Sequence, residues 1–309
     1  MTVLITGGAG YIGTVLTTQL LEKGYRVTVV DNLMHRDARP LVSFLRHPQY
    51  TFVYGDIRDE AVMKKALRTA DAVVHLAGIV GYPACARRPR LSRDVNVKAT
   101  ELLNRLRSPA QLMVNAGTGS VYGKVDENIK MCHEEMAPNP VSVYGAHKAA
   151  AEKVLMDKGG AVSLRLATAF GLSPRLRVDL LVNDFCYQAV HAGRLTIYEA
   201  NFRRTFIHVH DIARAFIHAI ENCERMKNAI FNCGDRKMNV QKIRVAELIR
   251  EQHEFELAAS ANGTDVDCRN YNMSFKKIND TGFHTTVSLR QGIREMLGLF
   301  PHYKLRGAS

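Results

Sequence analysis

The residues best suited to chemistry are a tyrosine and a lysine in the middle of the 309-residue chain. Tyr144 and Lys148 stand four positions apart in the segment NPVSVYGAHKAAAEKVL, residues 139–155, which is expected to be helical. That spacing places both side chains on one face of a helix. A phenol with a pKa of about 10 is a poor base at neutral pH, and a neighbouring ammonium group stabilises the phenolate. The pair is either an acid–base couple or a solvated helix face, and its surroundings decide between the two.

A glycine triplet follows the first predicted strand directly. The sequence TGGAGYIG places Gly7, Gly10 and Gly13 between that strand and a helix, where they allow a tight turn, close approach of a pyrophosphate and helix–strand packing. Asp31 ends the second predicted strand, 18 residues after Gly13. A carboxylate at this place accepts hydrogen bonds from a ribose diol and repels a 2′-phosphate. The pattern therefore predicts a dinucleotide site that favours NAD over NADP.

Short apolar runs alternate with helix-length segments over the first half of the chain. In YIGTVLTTQLLEKG, for example, Ile12, Val15, Leu16 and Leu20 share one helical face. Such alternation predicts right-handed βαβ units and an α/β fold, a Rossmann-type doubly wound parallel sheet covered on both faces. The predicted strands span residues 2–7, 26–32, 51–56, 71–78 and 111–117.

The pattern becomes less regular beyond about residue 170. A turn-rich stretch after this point becomes helical, and RRTFIHVHDIARAFIHAIE reads as a strand followed by a helix. We expect an NAD-binding domain over residues 1–170, to which residues 203–235 return. A smaller, partly interleaved substrate-binding domain is expected over residues 171–309.

Composition narrows the class of protein. Hydrophobic residues make up 46% and charged residues 23%, and apolar runs are too short to span a membrane. The N-terminus lacks the features of a signal peptide, and six cysteines without a C-x-x-C pair indicate reduced thiols, so a cytoplasmic location is expected. The net charge of +12 suits an anionic partner or reflects dispersed surface lysine and arginine. The densest basic cluster, residues 86–93, has no interleaved aromatic residues, which argues against nucleic-acid binding.

Taken together, these motifs resemble one enzyme family. Beside the glycine triplet and the Tyr-x-x-x-Lys pair, the chain carries GDIRD at residues 55–59, HLAG at 75–78 and RTFIHVHD at 204–211. Over essentially its whole length it resembles the extended short-chain dehydrogenase/reductases, specifically the NAD-dependent epimerase/dehydratase family of nucleotide-sugar enzymes. In that context Tyr144 and Lys148 become the acid–base couple of a nicotinamide site.

The resemblance implies which residues contact NAD. Asp56 and Ile57 would contact the adenine, and residues 76–78 would line the cofactor near the nicotinamide. Without the resemblance, His75 is a packed core histidine. The full set expected to bind NAD is Gly7, Gly10, Tyr11, Ile12, Gly13, Asp31, Asn32, Asp56, Ile57, Leu76, Ala77, Gly78, Asn96, Tyr144 and Lys148.

The resemblance also implies a hydroxyl that orients the substrate. In NAGTGSVYG, Thr118 lies four residues before Tyr122 of the VYG triplet, and Ser120 is the alternative. The 4,6-dehydratases of the family carry an acidic pair directly after this threonine, whereas Gly119 and Ser120 follow it here. Elimination is therefore not expected. The expected catalytic residues are Tyr144, Lys148 and Thr118.

On the substrate side, Arg204 matches the family arginine that binds the nucleotide diphosphate. Arg203 is an adjacent rival, and a surface arginine is the structural alternative. Residues 77–89 and the stretch after Arg165 look most like the subgroup of GDP-heptose 4-dehydrogenases of bacterial capsule polysaccharide synthesis, in which Cys85 would also face the sugar ring. The residues expected to bind substrate are Val80, Gly81, Thr118, Thr168, Arg175, Asn183, Arg204 and Arg269.

No metal site is expected. His208 and His210 lie two apart on one strand face, but the sequence shows no third ligand, so a structural role is expected for both.

The resemblance implies oxidation at C4 of a nucleotide-diphosphate sugar. Return of the hydride to the other face would make the enzyme a 4-epimerase, which we expect, and release of the keto sugar would make it a 4-dehydrogenase. A non-catalytic RNA-binding relative of the fold is the distant alternative, although such relatives usually lose the Tyr–Lys pair. A homodimer is expected, formed by residues 95–107 and the helix that carries Tyr144.

Overall fold

The structure is a computed structural model that describes residues 1–126, 128–260, 263–266 and 269–305. Cys268, one of the six cysteines, lies outside the described residues. The strands are β1 (Thr2–Thr6), β2 (Arg26–Asp31), β3 (Tyr50–Tyr54), β4 (Ala72–His75), β5 (Leu112–Thr118), β6 (Ala161–Leu166), β7 (Thr168–Phe170), β8 (Arg194–Tyr198), β9 (Arg203–His208), β10 (Ala229–Cys233), β11 (Asn239–Gln241) and β12 (Glu256–Ser260). The helices are α1 (Tyr11–Glu22), α2 (Glu60–Leu67), α3 (Tyr82–Arg87), α4 (Pro89–Arg93), α5 (Ala99–Leu106), α6 (Val143–Lys158), α7 (Leu181–Ala192), α8 (Val209–Glu221), α9 (Cys223–Met226), α10 (Lys242–Arg250), α11 (Lys276–Asn279) and α12 (Leu289–Leu299).

A seven-stranded sheet forms the larger part of the molecule. Its strands follow the order β10–β6–β5–β4–β1–β2–β3, and every neighbouring pair is parallel. The order reverses between β1 and β4, which opens a crevice beyond the carboxyl ends of these two strands. The predicted Rossmann-type doubly wound sheet is confirmed, and the crevice lies where such folds bind ligands.

Apolar side chains fill both faces of this sheet. Val3 and Ile5 of β1 point into a core shared with α1 and α8, while Leu4 points into the opposite core with α5 and α6. This alternation follows from the two-residue period of a strand. Strands buried on both sides therefore need the nearly continuous apolar runs that the sequence shows.

The strand ends explain why the predicted runs are slightly too long. β4 stops at His75 instead of residue 78, because Leu76–Gly78 leave the sheet as a loop at the crevice. β2 stops at Asp31, so Asn32 begins the following loop. Both trimmed ends carry residues expected to bind NAD.

The C-terminal part has its own core. β11, β9 and β7 form a three-stranded sheet, and β12 pairs with β8. Phe170, Phe206 and Phe300 are among the fully buried side chains of this second core. β9 lies in the small sheet, whereas β10 joins the large one. The return of residues 203–235 to the first domain stays a prediction. The division near residue 170 stays a prediction.

Among the residues that the structure describes, no helix combines the length and apolar character that crossing a bilayer requires.

Candidate active site

The glycine loop between β1 and α1 leaves room for an anion. Gly7 has a φ of +73°, and a Cβ atom there would lie 2.6 Å from the backbone nitrogen of Ala77. At Gly13 a Cβ would lie 2.6 Å from the Cα of Gly8. Gly10 begins α1 without a side-chain cap, and the first turn holds no acidic residue, so its N–H groups and the helix dipole face the crevice. This cradle fits a pyrophosphate.

Asp31 is fixed at the edge of this cradle. Its carboxylate accepts hydrogen bonds from the backbone nitrogens of Ala9, at 3.0 Å, and Leu33, at 2.8 Å. The first bond links the end of β2 to the glycine loop. Asp31 therefore stands where a ribose diol would meet it, as the sequence predicts for NAD.

The neighbouring loop ends form one polar group. Asn32 donates to Asp56 at 3.0 Å, and Arg58 forms an ion pair with Asp56 at 2.7 Å. The Arg58 guanidinium holds the pKa of the Asp56 carboxyl down at about 2. Ile57 beside them is buried. The structure thus brings together the four residues expected at the adenosine end of NAD, which are Asp31, Asn32, Asp56 and Ile57.

The opposite wall of the crevice is the loop after β4. The Asn96 side chain, on a π-helical turn, accepts from the Ile79 nitrogen at 2.8 Å and donates to the Ile79 oxygen at 2.9 Å. Asn96 therefore fixes the loop that holds Leu76–Gly78, and its contact with NAD stays a prediction. His75 lies between the hydroxyls of Thr6, at 2.7 Å, and Thr100, at 3.0 Å. Burial lowers the pKa of His75 to about 3, in keeping with a neutral core histidine.

The end of β5, which carries Thr118, packs against the start of α6, which carries Tyr144. The Thr118 hydroxyl accepts from the Ser120 nitrogen at 3.2 Å, and Ser142 caps α6 by accepting from the Gly145 nitrogen at 3.1 Å. A Cβ at Gly145 would lie 2.8 Å from the Ser120 oxygen, so the helix start packs directly on the 118–120 loop. Tyr144 is buried in the first turn of this helix.

Lys148 lies one helical turn after Tyr144 and is half-buried. Burial lowers the pKa of its ammonium group to about 8, and the Glu152 carboxylate opposes this shift. A lysine with this pKa still carries its proton at neutral pH, so it can stabilise a phenolate on the same helix face.

Behind Lys148 lies a buried ion pair that sequence reasoning missed. Arg165 of β6 and Glu152 of α6 are 1% and 3% exposed and pair at 2.7 Å, and Ser163 donates to the same carboxylate at 2.8 Å. Arg165 also donates to the Tyr122 hydroxyl at 3.1 Å. The available signal was a single arginine inside the otherwise apolar strand AVSLRL. The pair fixes α6, and with it Lys148, against the sheet.

Two arginines expected to bind the substrate meet on one carboxylate, although they are 65 residues apart in the sequence. Arg204 of β9 pairs with Asp265 at 2.7 Å, and Arg269 pairs with it at 2.8 Å. We call Arg204 and Arg269 the arginine pair. Arg203, the adjacent rival, is exposed, whereas Arg204 is buried. Asp265 was not anticipated from the sequence.

The loop after β7 covers the mouth of α1. Tyr11 donates to the Gly171 oxygen at 2.8 Å, and the Ser173 hydroxyl donates to the Tyr11 oxygen at 2.7 Å. Arg175 is half-buried in this loop and donates to the Leu176 oxygen at 2.9 Å. Thr168, also half-buried, lies at the start of β7.

Two residues expected on the substrate side are fully buried. Asn183 bonds through its amide to the backbone of Gly171 and Arg177 and so supports the loop. Cys85 donates to the Ile79 oxygen at 3.3 Å. A contact of either residue with the substrate stays a prediction. Val80, 46% exposed, and Gly81 remain accessible at the crevice.

His208 and His210, for which a structural role is expected, stack on each other. The rings of His208 and His210 lie 5.4 Å apart with a 30° angle, and burial lowers the pKa of His208 to about 4. In the described part of the chain, no group of three or more His, Cys, Asp or Glu side chains is placed to hold a metal ion.

Comparison with known protein families finds one family whose match includes the motifs described above. The profile of the NAD dependent epimerase/dehydratase family matches residues 3–234, most of the chain. The chain belongs to this family. Its members depend on NAD, and the cradle, Asp31 and the crevice described above are the parts of this chain that would hold NAD.

Individual relatives agree with the family match. The chain is 36% identical over 129 residues to a UDP-glucose 4-epimerase of Klebsiella pneumoniae, an alignment that covers 40% of this chain and 93% of that protein. It is 31% identical over 248 residues to UDP-glucose 4-epimerase 4 of Oryza sativa subsp. japonica, which covers 69% of this chain and 65% of that protein. Two further plant relatives are matched over 46% and 40% of their length, so the alignments span only part of these proteins.

Solved structures match over nearly the whole chain. The UDP-glucose 4-epimerase of Thermus thermophilus in complex with NAD is 26% identical with a TM-score of 0.83, and the match covers 100% of both chains. The Thermotoga maritima UDP-glucose 4-epimerase with UDP-glucose is 25% identical with a TM-score of 0.86, covering 97% of this chain and 98% of that one. The chain therefore has the fold of the nucleotide-sugar enzymes of this family.

Proposed function

We propose that this chain is an NAD-dependent nucleotide-sugar 4-epimerase. The observation that carries the proposal is the packing of the 118–120 loop, which holds Thr118, on the start of the helix that carries Tyr144 and Lys148. The names of the relatives, which are UDP-glucose 4-epimerases, support the same activity.

Each of these three residues has a defined task. The Lys148 ammonium group stabilises the phenolate form of Tyr144, and this phenolate accepts the proton of the sugar C4 hydroxyl. The Thr118 hydroxyl orients the C4 oxygen towards Tyr144. When bound, NAD supplies reversible hydride acceptance at C4. A protonated Tyr144 then returns its proton to the C4 oxygen.

The 118–120 loop offers no carboxyl group to transfer the proton that elimination of water from the sugar requires. In the 118–120 loop, Gly119 and Ser120 follow Thr118, and neither carries a carboxyl group. This argues against a 4,6-dehydratase.

The substrate diphosphate is proposed to bind at the arginine pair. Asp265 neutralises one of the two guanidinium groups, so the three side chains together keep one positive charge. Guanidinium forks match phosphate oxygens in geometry. Thr168, Arg175, Val80 and Gly81 complete the proposed sugar and diphosphate contacts.

The nucleotide and the reaction outcome are tested together. The resemblance in sequence favours a GDP-heptose, as in capsule polysaccharide synthesis, while the named relatives act on UDP-glucose. Purified protein is incubated with UDP-glucose or a GDP-heptose, and the C4 configuration is followed by NMR together with NADH absorbance. An epimerase gives both C4 epimers without net NADH. Stoichiometric NADH and released keto sugar would instead establish the 4-dehydrogenase.

We propose a cytoplasmic homodimer that binds no nucleic acid. The five described cysteines are free thiols, as in a reducing compartment. α5 and α6 pack side by side and expose a shared face, the surface expected to meet a second copy. Sedimentation equilibrium tests the dimer, and a salt-dependent RNA affinity would favour the RNA-binding alternative.

A further inference from the structure

A segment of residues 269–274 connects the arginine pair with the 118–120 loop, which we call the catalytic loop. At one end the Arg269 guanidinium pairs with Asp265. At the other end the Ser274 nitrogen donates to the Cys132 oxygen at 2.8 Å, and the Cys132 nitrogen donates to the Asn272 oxygen at 2.8 Å. These backbone bonds fix the course of the segment past the end of β5.

Tyr271 reaches from this segment into the catalytic loop. Its hydroxyl donates a hydrogen bond of 2.5 Å to the carbonyl oxygen of Gly119, the residue that directly follows Thr118. Its ring packs edge-on against Tyr122, with centroids 5.9 Å apart and an angle of 76°. Tyr271 is 8% exposed, so this bond is shielded from water.

Met273 contacts the same peptide from the same segment. A Cβ at Gly119 would lie 2.9 Å from the Met273 sulfur, which also accepts from the Thr205 hydroxyl at 3.2 Å. Thr205 follows Arg204 on β9. Gly119 is thus held by Tyr271 and Met273, which lie two and four positions beyond Arg269, and Met273 is bonded in turn to the neighbour of Arg204.

We propose that Tyr271 is a positioning residue that holds the Gly119 carbonyl and so fixes the Thr118 hydroxyl opposite Tyr144. Because Arg269 lies two residues earlier on the same segment, substrate diphosphate bound there also fixes the position of Thr118. The inference rests on the proposed function of Thr118 and Tyr144. A glycine peptide has no side chain that could hold it, so its position depends on partners such as Tyr271.

The test is Tyr271→Phe, which keeps the ring and removes the hydroxyl. Reduction of bound NAD by the nucleotide sugar is followed in a single turnover, together with kcat, KM, NAD content and Tm. We expect a rate of NAD reduction about tenfold lower and a KM within about threefold of wild type, since loss of one bond misplaces the reacting hydroxyl slightly. A merely structural role would lower Tm and the folded fraction but leave the rate per NAD-loaded site unchanged, and that result would overturn the proposal.

Tyr50→Phe is the matched control. The buried Tyr50 hydroxyl has no hydrogen-bond partner among the described residues, so its removal should leave every kinetic value unchanged. If Tyr271→Phe does not fold, Gly119→Ala replaces it, because the added methyl group displaces the same peptide against Met273. An unchanged rate in that variant would equally overturn the proposal.

Tyr144→Phe separates this inference from the function on which it rests. An inactive Tyr144→Phe beside a fully active Tyr271→Phe would remove only the positioning role. An active Tyr144→Phe would remove the proposed function and the inference together.

Discussion

The two proposed phosphate sites are built in different ways. At the proposed cofactor site, residues 7–13 contain no lysine or arginine, so the backbone itself would face the anion. At the proposed substrate site, Arg204 and Arg269 meet on Asp265, so side chains would provide the charge. The first site depends on the absence of side chains, and the second on their correct assembly.

This difference has a consequence for tolerance to mutation. A backbone site fails when a Cβ fills it, whatever the chemistry of the new residue. A side-chain site fails when its geometry is lost, even if the charge is kept. The proposed catalytic residues need a substrate and a cofactor that are held by both sites.

The largest effect on activity is expected at Tyr144, the proposed base. Tyr144→Phe removes the group that accepts the C4 proton and should lower kcat by about 10³-fold, within reach of general-base effects. Bound NAD, measured after denaturation of the purified protein, should stay at the wild-type amount. Loss of NAD together with activity would show that the change damages the cofactor end as well.

The next largest effect tests the backbone site. Gly7→Ala should weaken NAD binding about a hundredfold, because Gly7 has a φ of +73° and the Cβ would lie 2.6 Å from the Ala77 nitrogen. The measurement is the NAD dissociation constant by titration calorimetry. Gly24→Ala is the control, since Gly24 has a φ of +80° but no atom within 4 Å of an added Cβ. Equal NAD affinity in the two variants would refute the steric explanation.

A smaller effect tests the side-chain site. Arg204→Lys keeps the charge but loses the guanidinium fork, so KM for the nucleotide sugar should rise about tenfold with NAD affinity unchanged. Arg203→Lys makes the same change at the exposed neighbour and should alter neither value. An equal rise of KM in both variants would mean that the guanidinium of Arg204 has no specific contact with the nucleotide sugar.

The smallest effect concerns stability. The pKa of Lys148 is lowered to about 8 in the folded protein, below the value of about 10.4 in an unfolded chain. Between these values the unfolded state binds more protons, so the penalty for burying Lys148 is full below pH 8 and disappears as the pH rises. Lys148→Met should therefore stabilise the protein by on the order of 1 kcal/mol at pH 7. Urea unfolding should show that the gain in the free energy of unfolding of Lys148→Met over wild type shrinks towards pH 10. A gain that grows with pH would contradict a lowered pKa for Lys148.

Much of the fold and of the cofactor end could be predicted from sequence. The glycine triplet, Asp31 and the Tyr144–Lys148 pair each lie within one βα unit or one helical turn, where short-range spacing fixes geometry. The sequence did not reveal that Asn183 and Cys85 are fully buried. Both residues lie near the crevice but turn into the protein, and burial depends on packing that no local spacing reveals.

Sequence alone therefore determined the glycine loop, the parallel sheet and the placing of Tyr144 and Lys148 one turn apart on a helix, because these depend on residues close in the chain. Only the tertiary structure decided that Arg204 and Arg269 share Asp265, that Arg165 pairs with Glu152, and that Tyr271 bonds to Gly119. Tyr271 and Gly119 are 152 residues apart in the sequence. Contacts over such separations follow the path of the chain through the several sheets, and that path is set by the packing of the whole molecule.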